Sequence, residues 1–318
     1  MNMGKIYTSY LYSKITKKNF HKGDPIAISI EPTTSCNLRC PQCPSGLRQF
    51  SRDTGMLQTD LNKYVIDELQ KTLSYITYYF QGEPYLNPDF LEMVKYASDK
   101  NIYTSTSTNA HYLTPEMSQK TIESGLNRLI ISLDGTTQET YGKYRIGGSL
   151  KKVLDGTKNL VEAKKAAGKG PHIVWQFIVF GHNEHQIKNM KALAKEYGVD
   201  ALGIKTAQIY DFESNLDLIP NNPEYSRYDV SKGKPTIKNK LLNHCWRLWH
   251  SCVITWDGKI APCCFDKDAT HQFGSLNTNK FRDIWKNDSY NSFRKLVLKS
   301  RKNIDICQNC TEGTKIWT

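Results

Sequence analysis

The chain reads as an α/β protein in which six strand–helix units on parallel strands are followed by a small cysteine-rich C-terminal domain. Three observations predict this. Short β-rich runs alternate with helical patterns from about residue 25 to 210, a cysteine-bearing loop follows the first strand directly, and six of the nine cysteines fall within residues 241–318. Alternation of this kind marks repeated βα units. The organisation expected is an N-terminal extension (1–24), the βα region (25–210), a linker or lid (211–240) and the cysteine-rich domain (241–318).

The strands are IAISIEPT (26–33), YITYYF (75–80), IYTSTST (102–108), RLIISLD (128–134), HIVWQFIVF (172–180) and ALGIKTAQ (201–208). Helical stretches lie at 60–73, 88–101, 115–124, 150–168 and 184–198, with Thr59 and Thr114 as caps and Gly125, Gly168 and Gly198 at their ends. Six such units fit an incomplete barrel or an open doubly wound sheet, and periodicity does not separate the two. Residues 211–240 mix Pro, Asn, Ser and charges without a sustained period. Beyond them come a strand–turn–strand in VITWDGKIAPCC, turning at Asp257 and Gly258, and one helical run near 279–300.

The formal net charge is +12, but the basic residues are scattered, with short clusters only at Lys14, Lys17, Lys18 and 299–302. This pattern fits a solvated surface, and no basic–aromatic stripe suits nucleic acid. There is no apolar run of about 18 residues and no secretory signal, so a cytoplasmic protein with no membrane partner is expected. Thiols in that compartment stay reduced, so nine clustered cysteines point to metal.

EPTTSCNLRCPQCPSG places Cys36, Cys40 and Cys43 in a C-x3-C-x2-C spacing after the first strand, where parallel α/β folds put their chemistry. Three thiolates can hold three corners of a 4Fe–4S cube and leave one iron open. A zinc site is the alternative, but it needs a fourth ligand and the nearest histidines in sequence are His21 and His111. The motif resembles that of the radical S-adenosylmethionine superfamily, and the resemblance spans nearly the whole chain. It implies a partial six-stranded (β/α)6 TIM-like barrel, S-adenosylmethionine as cofactor, and cleavage of that cofactor to a 5′-deoxyadenosyl radical by a reduced cluster. A flavodoxin- or ferredoxin-type reductant is implied as partner.

The resemblance extends to four further stretches. FQGEP is similar to the family's Gly-Gly-Glu-Pro turn, which receives the cofactor ammonium; Gly82, Glu83 and Pro84 match, and Gln81 stands where the family has Gly. STSTNA places Asn109 toward the ribose, ISLDG places Ser132 toward the cofactor, and YGKYRIGGSL places Arg145 against the methionine carboxylate. Strand alternation sets Gln176 and Lys205 on barrel-facing positions, opposite Trp175 and Ile204, as candidate catalytic groups; a buried Lys205 could act as a base.

In the last segment a C-x12-G-x4-C run from Cys245 to Cys263 is followed by the C-x2-C pair Cys307 and Cys310. On spacing alone, a four-cysteine zinc ribbon and an iron–sulfur site are nearly even. The pattern resembles the SPASM extension in its shortened twitch form, which implies one auxiliary 4Fe–4S cluster on Cys245, Cys263, Cys307 and Cys310, with Cys252 and Cys264 as spares. Relatives with this extension modify ribosomally made peptides or oxidise carbinols on small molecules, so the substrate is expected to be a peptide or a small molecule. The short N-terminal extension is expected to be too small for a separate peptide-binding module. A non-catalytic scaffold or redox sensor is the competing reading from another class.

Overall fold

Ile28 and Ile30 on the first strand are buried while Ala27 and Ser29 are partly open, so one face packs on helices and the other looks into a lumen. The computed structural model describes residues 1–210, 212, 215–231 and 233–316. The elements run α1 (Asn2–Thr16), β1 (Ala27–Ile30), α2 (Pro44–Leu47), α3 (Thr59–Leu69), β2 (Tyr75–Tyr78), α4 (Phe90–Asp99), β3 (Tyr103–Thr108), α5 (Pro115–Glu123) and β4 (Arg128–Ser132). There follow α6 (Gln138–Tyr144), α7 (Leu150–Ala167), β5 (His172–Val179), α8 (Ile187–Tyr197), β6 (Ala201–Thr206), β7 (Tyr228–Asp229) and β8 (Thr236–Ile237). The last segment holds α9 (Arg247–His250), β9 (Ser251–Ile254), β10 (Ile260–Ala261), α10 (Phe281–Lys286), α11 (Asp288–Ser300) and α12 (Asp305–Gln308).

Strands β1 to β6 pair in sequence order, all parallel, and β6 is an edge, so the sheet is an open partial barrel with helices outside. Trp175 points outward, its Nε1 donating to Thr157 Oγ1 of α7 at 3.1 Å. Thr114 caps α5 by accepting from Met117 N, and Gly168 and Gly198 end α7 and α8 in the left-handed region. Two local expectations differ. Thr59 is already the first helical residue of α3, behind Gln58. The helical run near 279–300 is two helices, because Asn287 is extended and its side chain caps α11 by accepting from Tyr290 N.

The cysteine-rich segment continues the barrel sheet. Strand β9 pairs parallel with the free edge of β1, Ala27 opposite Ser251 through Ile30 opposite Ile254, and β10 folds back antiparallel. Helix α1 closes over this seam: Tyr10 packs edge-on against Trp246 and Trp249, and its hydroxyl meets His244 Nδ1 at 2.8 Å. Of residues 211–240, Asp211, Glu213, Ser214 and Lys232 lie outside the described residues; the remainder includes the β7–β8 hairpin.

Histidines make this seam sensitive to acid, with burial lowering His244 as well as His21 and His250. His21 sits edge-on to Trp285 and bonds Trp249 O, and His250 stacks on Trp246 and bonds Trp246 O. Burial holds His21 down at about 3 and His250 at about 4. Unfolding frees both to bind protons near pH 6.5, so the stability they permit is complete above that pH and is lost as pH falls toward their folded values. At pH 5 the loss is about 2 kcal/mol per histidine. Thermal unfolding at pH 5 should therefore fall well below that at pH 7.5, and the H21Q/H250Q double variant should show a flatter pH dependence.

Candidate functional site

The loop after β1 carries Cys36, Cys40 and Cys43, and these line a single cavity together with Gly82, Glu83, Asn109, Ser132 and Arg145. Pro44 starts α2 immediately after Cys43, and this helix presses on the loop so closely that a Cβ on Gly46 would stand 2.5 Å from Cys40 N. Gly82 is equally constrained: its φ is +74° and an added Cβ would lie 2.2 Å from Thr33 O. Its neighbour Glu83 donates its N–H to Ser35 O at 2.8 Å, and Gly82 N donates to Ser45 Oγ at 2.9 Å. The turn after β2 thus holds the cysteine loop by backbone contact. Gly82→Ala should push the two apart and reduce both reconstituted iron and S-adenosylmethionine affinity, as read by anaerobic equilibrium dialysis; unchanged affinity would show that the turn does not position the loop.

Glu83 is buried and already engaged. Its carboxylate accepts from Thr108 Oγ1 and Asn109 N, both at 2.7 Å, and burial pushes it up to about 7. Asn109 turns its amide to Asn37 Oδ1 at 2.7 Å, beside the cysteine loop. Arg145 donates Nε to Asp134 Oδ2 at 2.6 Å and extends Nη1 toward Cys40 Sγ at 3.8 Å. Asp134 is fully buried and also accepts from Ile178 N, so it fixes the guanidinium against β5. Sequence reasoning missed Asp134 and Ser45, although Asp134 stands inside the ISLDG stretch. Gln81 is buried but lines the adjoining cleft, not the cysteine cavity.

Cys245, Cys263, Cys307 and Cys310 line a second cavity, closed by Leu248, Phe265, Phe293, Val297 and Ile306. Cys252 and Cys264 do not join them. Cys252 is buried on β9 and Cys264 is exposed in the cleft. Arg301, absent from the sequence-derived set, is 1% exposed and donates Nη2 to Cys310 Sγ at 3.0 Å and to Glu312 O at 2.6 Å. Glu312 N also donates to Cys310 Sγ, at 3.3 Å. Hydrogen bonds and positive charge at a ligating sulfur stabilise its thiolate and raise a cluster's potential.

All nine cysteines are free thiols. Burial pushes Cys36 and Cys307 up to about 12 and raises Cys40, where Arg145 opposes it. Iron would supply the positive charge that such sites need to hold thiolates. Among the described residues no three His, Cys, Asp or Glu side chains are set to hold a lone metal ion, which needs its sulfurs about 2.3 Å from one centre. Thiols placed around a shared cavity fit a group several ångströms across. The mixture of carboxylate, amide, hydroxyl and guanidinium beside Cys36, Cys40 and Cys43 fits a zwitterionic amino-acid cofactor.

A cleft of about 440 Å³ lies between the two cysteine cavities. Gln176 and Lys205 both line it, as strand alternation predicts. Lys205 is exposed, not the buried lysine that the base reading assumes.

Residues 30–201, more than half of the chain, match the radical SAM superfamily, and residues 245–311 match SPASM, an iron–sulfur cluster-binding domain. Mycofactocin maturase MftC of Mycobacterium ulcerans (strain Agy99) is 34% identical over 309 residues, covering 90% of this chain and 80% of that protein. PqqA peptide cyclase of Bradyrhizobium diazoefficiens is 25% identical over 299 residues, covering 86% and 76%. The crystal structure of Streptococcus suis SuiB bound to S-adenosylmethionine superposes with a TM-score of 0.68 at 14% identity, covering 98% of this chain and 77% of that one, and shares the fold. The chain therefore belongs to the radical SAM superfamily and carries a SPASM domain, and it is an enzyme whose cofactors are S-adenosylmethionine and 4Fe–4S clusters.

Proposed function

We propose that the enzyme reductively cleaves S-adenosylmethionine and uses the resulting 5′-deoxyadenosyl radical to take hydrogen from a peptide substrate in the central cleft. The observation that carries this reading is the sharing of walls. Cys40, Cys43, Ser132 and Arg145 line both the first cysteine cavity and the cleft, and Arg247, Phe265 and Glu312 line both the cleft and the second cavity. One molecule in the cleft can therefore face both cysteine sets. The peptide class is supported by the relatives, which include a maturase and a peptide cyclase.

Cys36, Cys40 and Cys43 would hold one cluster, which would supply the electron for cofactor cleavage, and Cys245, Cys263, Cys307 and Cys310 would hold another, which would accept an electron from the substrate. The protein positions and shields. Arg145, held by Asp134, offers a guanidinium to the cofactor carboxylate, while Glu83, Asn109 and Ser132 present their polar atoms or the backbone beside them. Tyr144 and Phe180 pack at 4.2 Å along the cleft and exclude water from the reacting atoms. Gln176 and Lys205 face the substrate.

A deuterated cell extract, split into peptide and small-molecule fractions, tests this with the reduced holoenzyme and unlabelled S-adenosylmethionine. Deuterium should appear in 5′-deoxyadenosine from the peptide fraction. Transfer from the small-molecule fraction alone would replace the peptide by a small substrate, and no 5′-deoxyadenosine at all would favour a non-catalytic scaffold.

A further inference from the structure

The charge of the cleft is lopsided. Five cationic side chains line it, Arg145, Lys205, Arg227, Arg247 and Lys267, against one carboxylate, Glu312. Arg145 is paired with Asp134, and Arg247 with Glu312 at 3.3 Å. Among the described residues no carboxylate lies within ion-pair distance of the other three. Asp211 and Glu213, close in the chain to the cleft residue Gln208, lie outside the described residues.

Arg227 is held in place without being satisfied. Its neighbour Tyr228 is buried, and the Tyr228 hydroxyl accepts from Ile209 N at 2.9 Å and donates to Asn309 Oδ1 at 2.9 Å, pinning the hairpin between the end of β6 and the cysteine-rich segment. The guanidinium spends Nη2 on a weak 3.4 Å bond to Thr206 O, while Nε and Nη1 are buried and bond to nothing. Buried donors left unpaired in this way destabilise the folded chain. Lys267 rests its ammonium 4.0 Å from the Tyr210 ring centroid, with Gln42 O at 3.5 Å as its one hydrogen-bond acceptor among the described residues. Burial lowers its pKa, which an anion beside it would reverse.

We infer that this part of the cleft is a subsite for an anionic group of the substrate, a carboxylate of an acidic peptide, received by Arg227 and Lys267. A carboxylate in the cleft balances the charge of the guanidinium and the ammonium, and a wall of low dielectric strengthens the pairing. The inference rests on the peptide reading only for the source of the carboxylate.

The probes are a five-residue peptide with three glutamates, the same peptide with glutamines, glutarate and inorganic phosphate. Each is titrated calorimetrically, without oxygen, into the reconstituted enzyme carrying S-adenosylmethionine. The acidic peptide should bind at least about tenfold more tightly than its glutamine counterpart. That preference should vanish in Arg227→Gln and Lys267→Met and persist in part in Arg227→Lys, which keeps the charge; wild-type melting of each variant excludes misfolding. Equal binding of the two peptides would overturn the inference and leave the peptide reading standing. Arg227-dependent binding of glutarate with neither peptide bound would keep the anion subsite and overturn the peptide reading. Phosphate binding without carboxylate binding would overturn the carboxylate assignment, and no binding of any probe would overturn the subsite.

Discussion

Cys40→Ala should abolish 5′-deoxyadenosine formation and lower reconstituted iron from about eight to about four per chain. Cys36, Cys40 and Cys43 lie on one short loop around one cavity, so two thiols cannot hold three corners of a cube. The four cysteines of the second cavity are untouched by the change and should keep their iron. The same logic divides the remaining thiols. Cys263→Ser should lose the second share of iron, whereas Cys264→Ser should lose none, because Cys264 faces the cleft outside the four-cysteine cavity. Equal iron loss in the two serine variants would show that the second ligand set is assigned wrongly.

Glu31→Gln should destabilise the fold by about 3–5 kcal/mol, the range for leaving one member of a buried pair uncompensated. Glu31 is fully buried and Arg52 nearly so, and they meet in a two-pronged pair at 2.9 and 2.6 Å. Glu31 also accepts from Trp256 N at 3.2 Å, and Arg52 packs its guanidinium on the rings of Phe50 and Phe80. The pair therefore bolts the cysteine loop to the β9–β10 turn. Burial pushes the Glu31 carboxyl up, and Arg52 pulls it back down. A neutral glutamine escapes the first effect but leaves the arginine with the more distant Asp268, whose Oδ1 is 4.0 Å from its Nε. Chemical denaturation of Glu31→Gln, Arg52→Met and the double variant would measure this; the double variant should recover part of the loss, and a loss below about 1 kcal/mol in Glu31→Gln would show that the pair does not bind the two segments together.

Much of this architecture is legible in the sequence because its signals are local. The six strands are β-branched runs ending in turns; the cysteine loop, Gly82, Glu83, Asn109 and Ser132 sit at strand ends or just beyond, and Arg145 caps the end of α6. What escapes detection depends on contacts far apart in the chain. The pairing of β9 with β1 leaves no trace in the composition of Ser251–Ile254, since any short apolar strand could occupy that edge. Arg301 belongs to the basic cluster 299–302, which reads as solvated surface, yet only the fold turns this one side chain inward to Cys310. Arg227 and Lys267 are likewise ordinary surface cations until β6, the hairpin and the cysteine-rich segment bring them to one wall.

The most direct test of the account is low-temperature electron paramagnetic resonance of the reduced, reconstituted enzyme with and without S-adenosylmethionine. Two overlapping cluster signals are expected. One should shift on addition of the cofactor and disappear in Cys40→Ala, and the other should respond to neither. A spectrum indifferent to S-adenosylmethionine, or a cofactor-sensitive signal that survives Cys40→Ala, would contradict the assignment of cofactor cleavage to Cys36, Cys40 and Cys43.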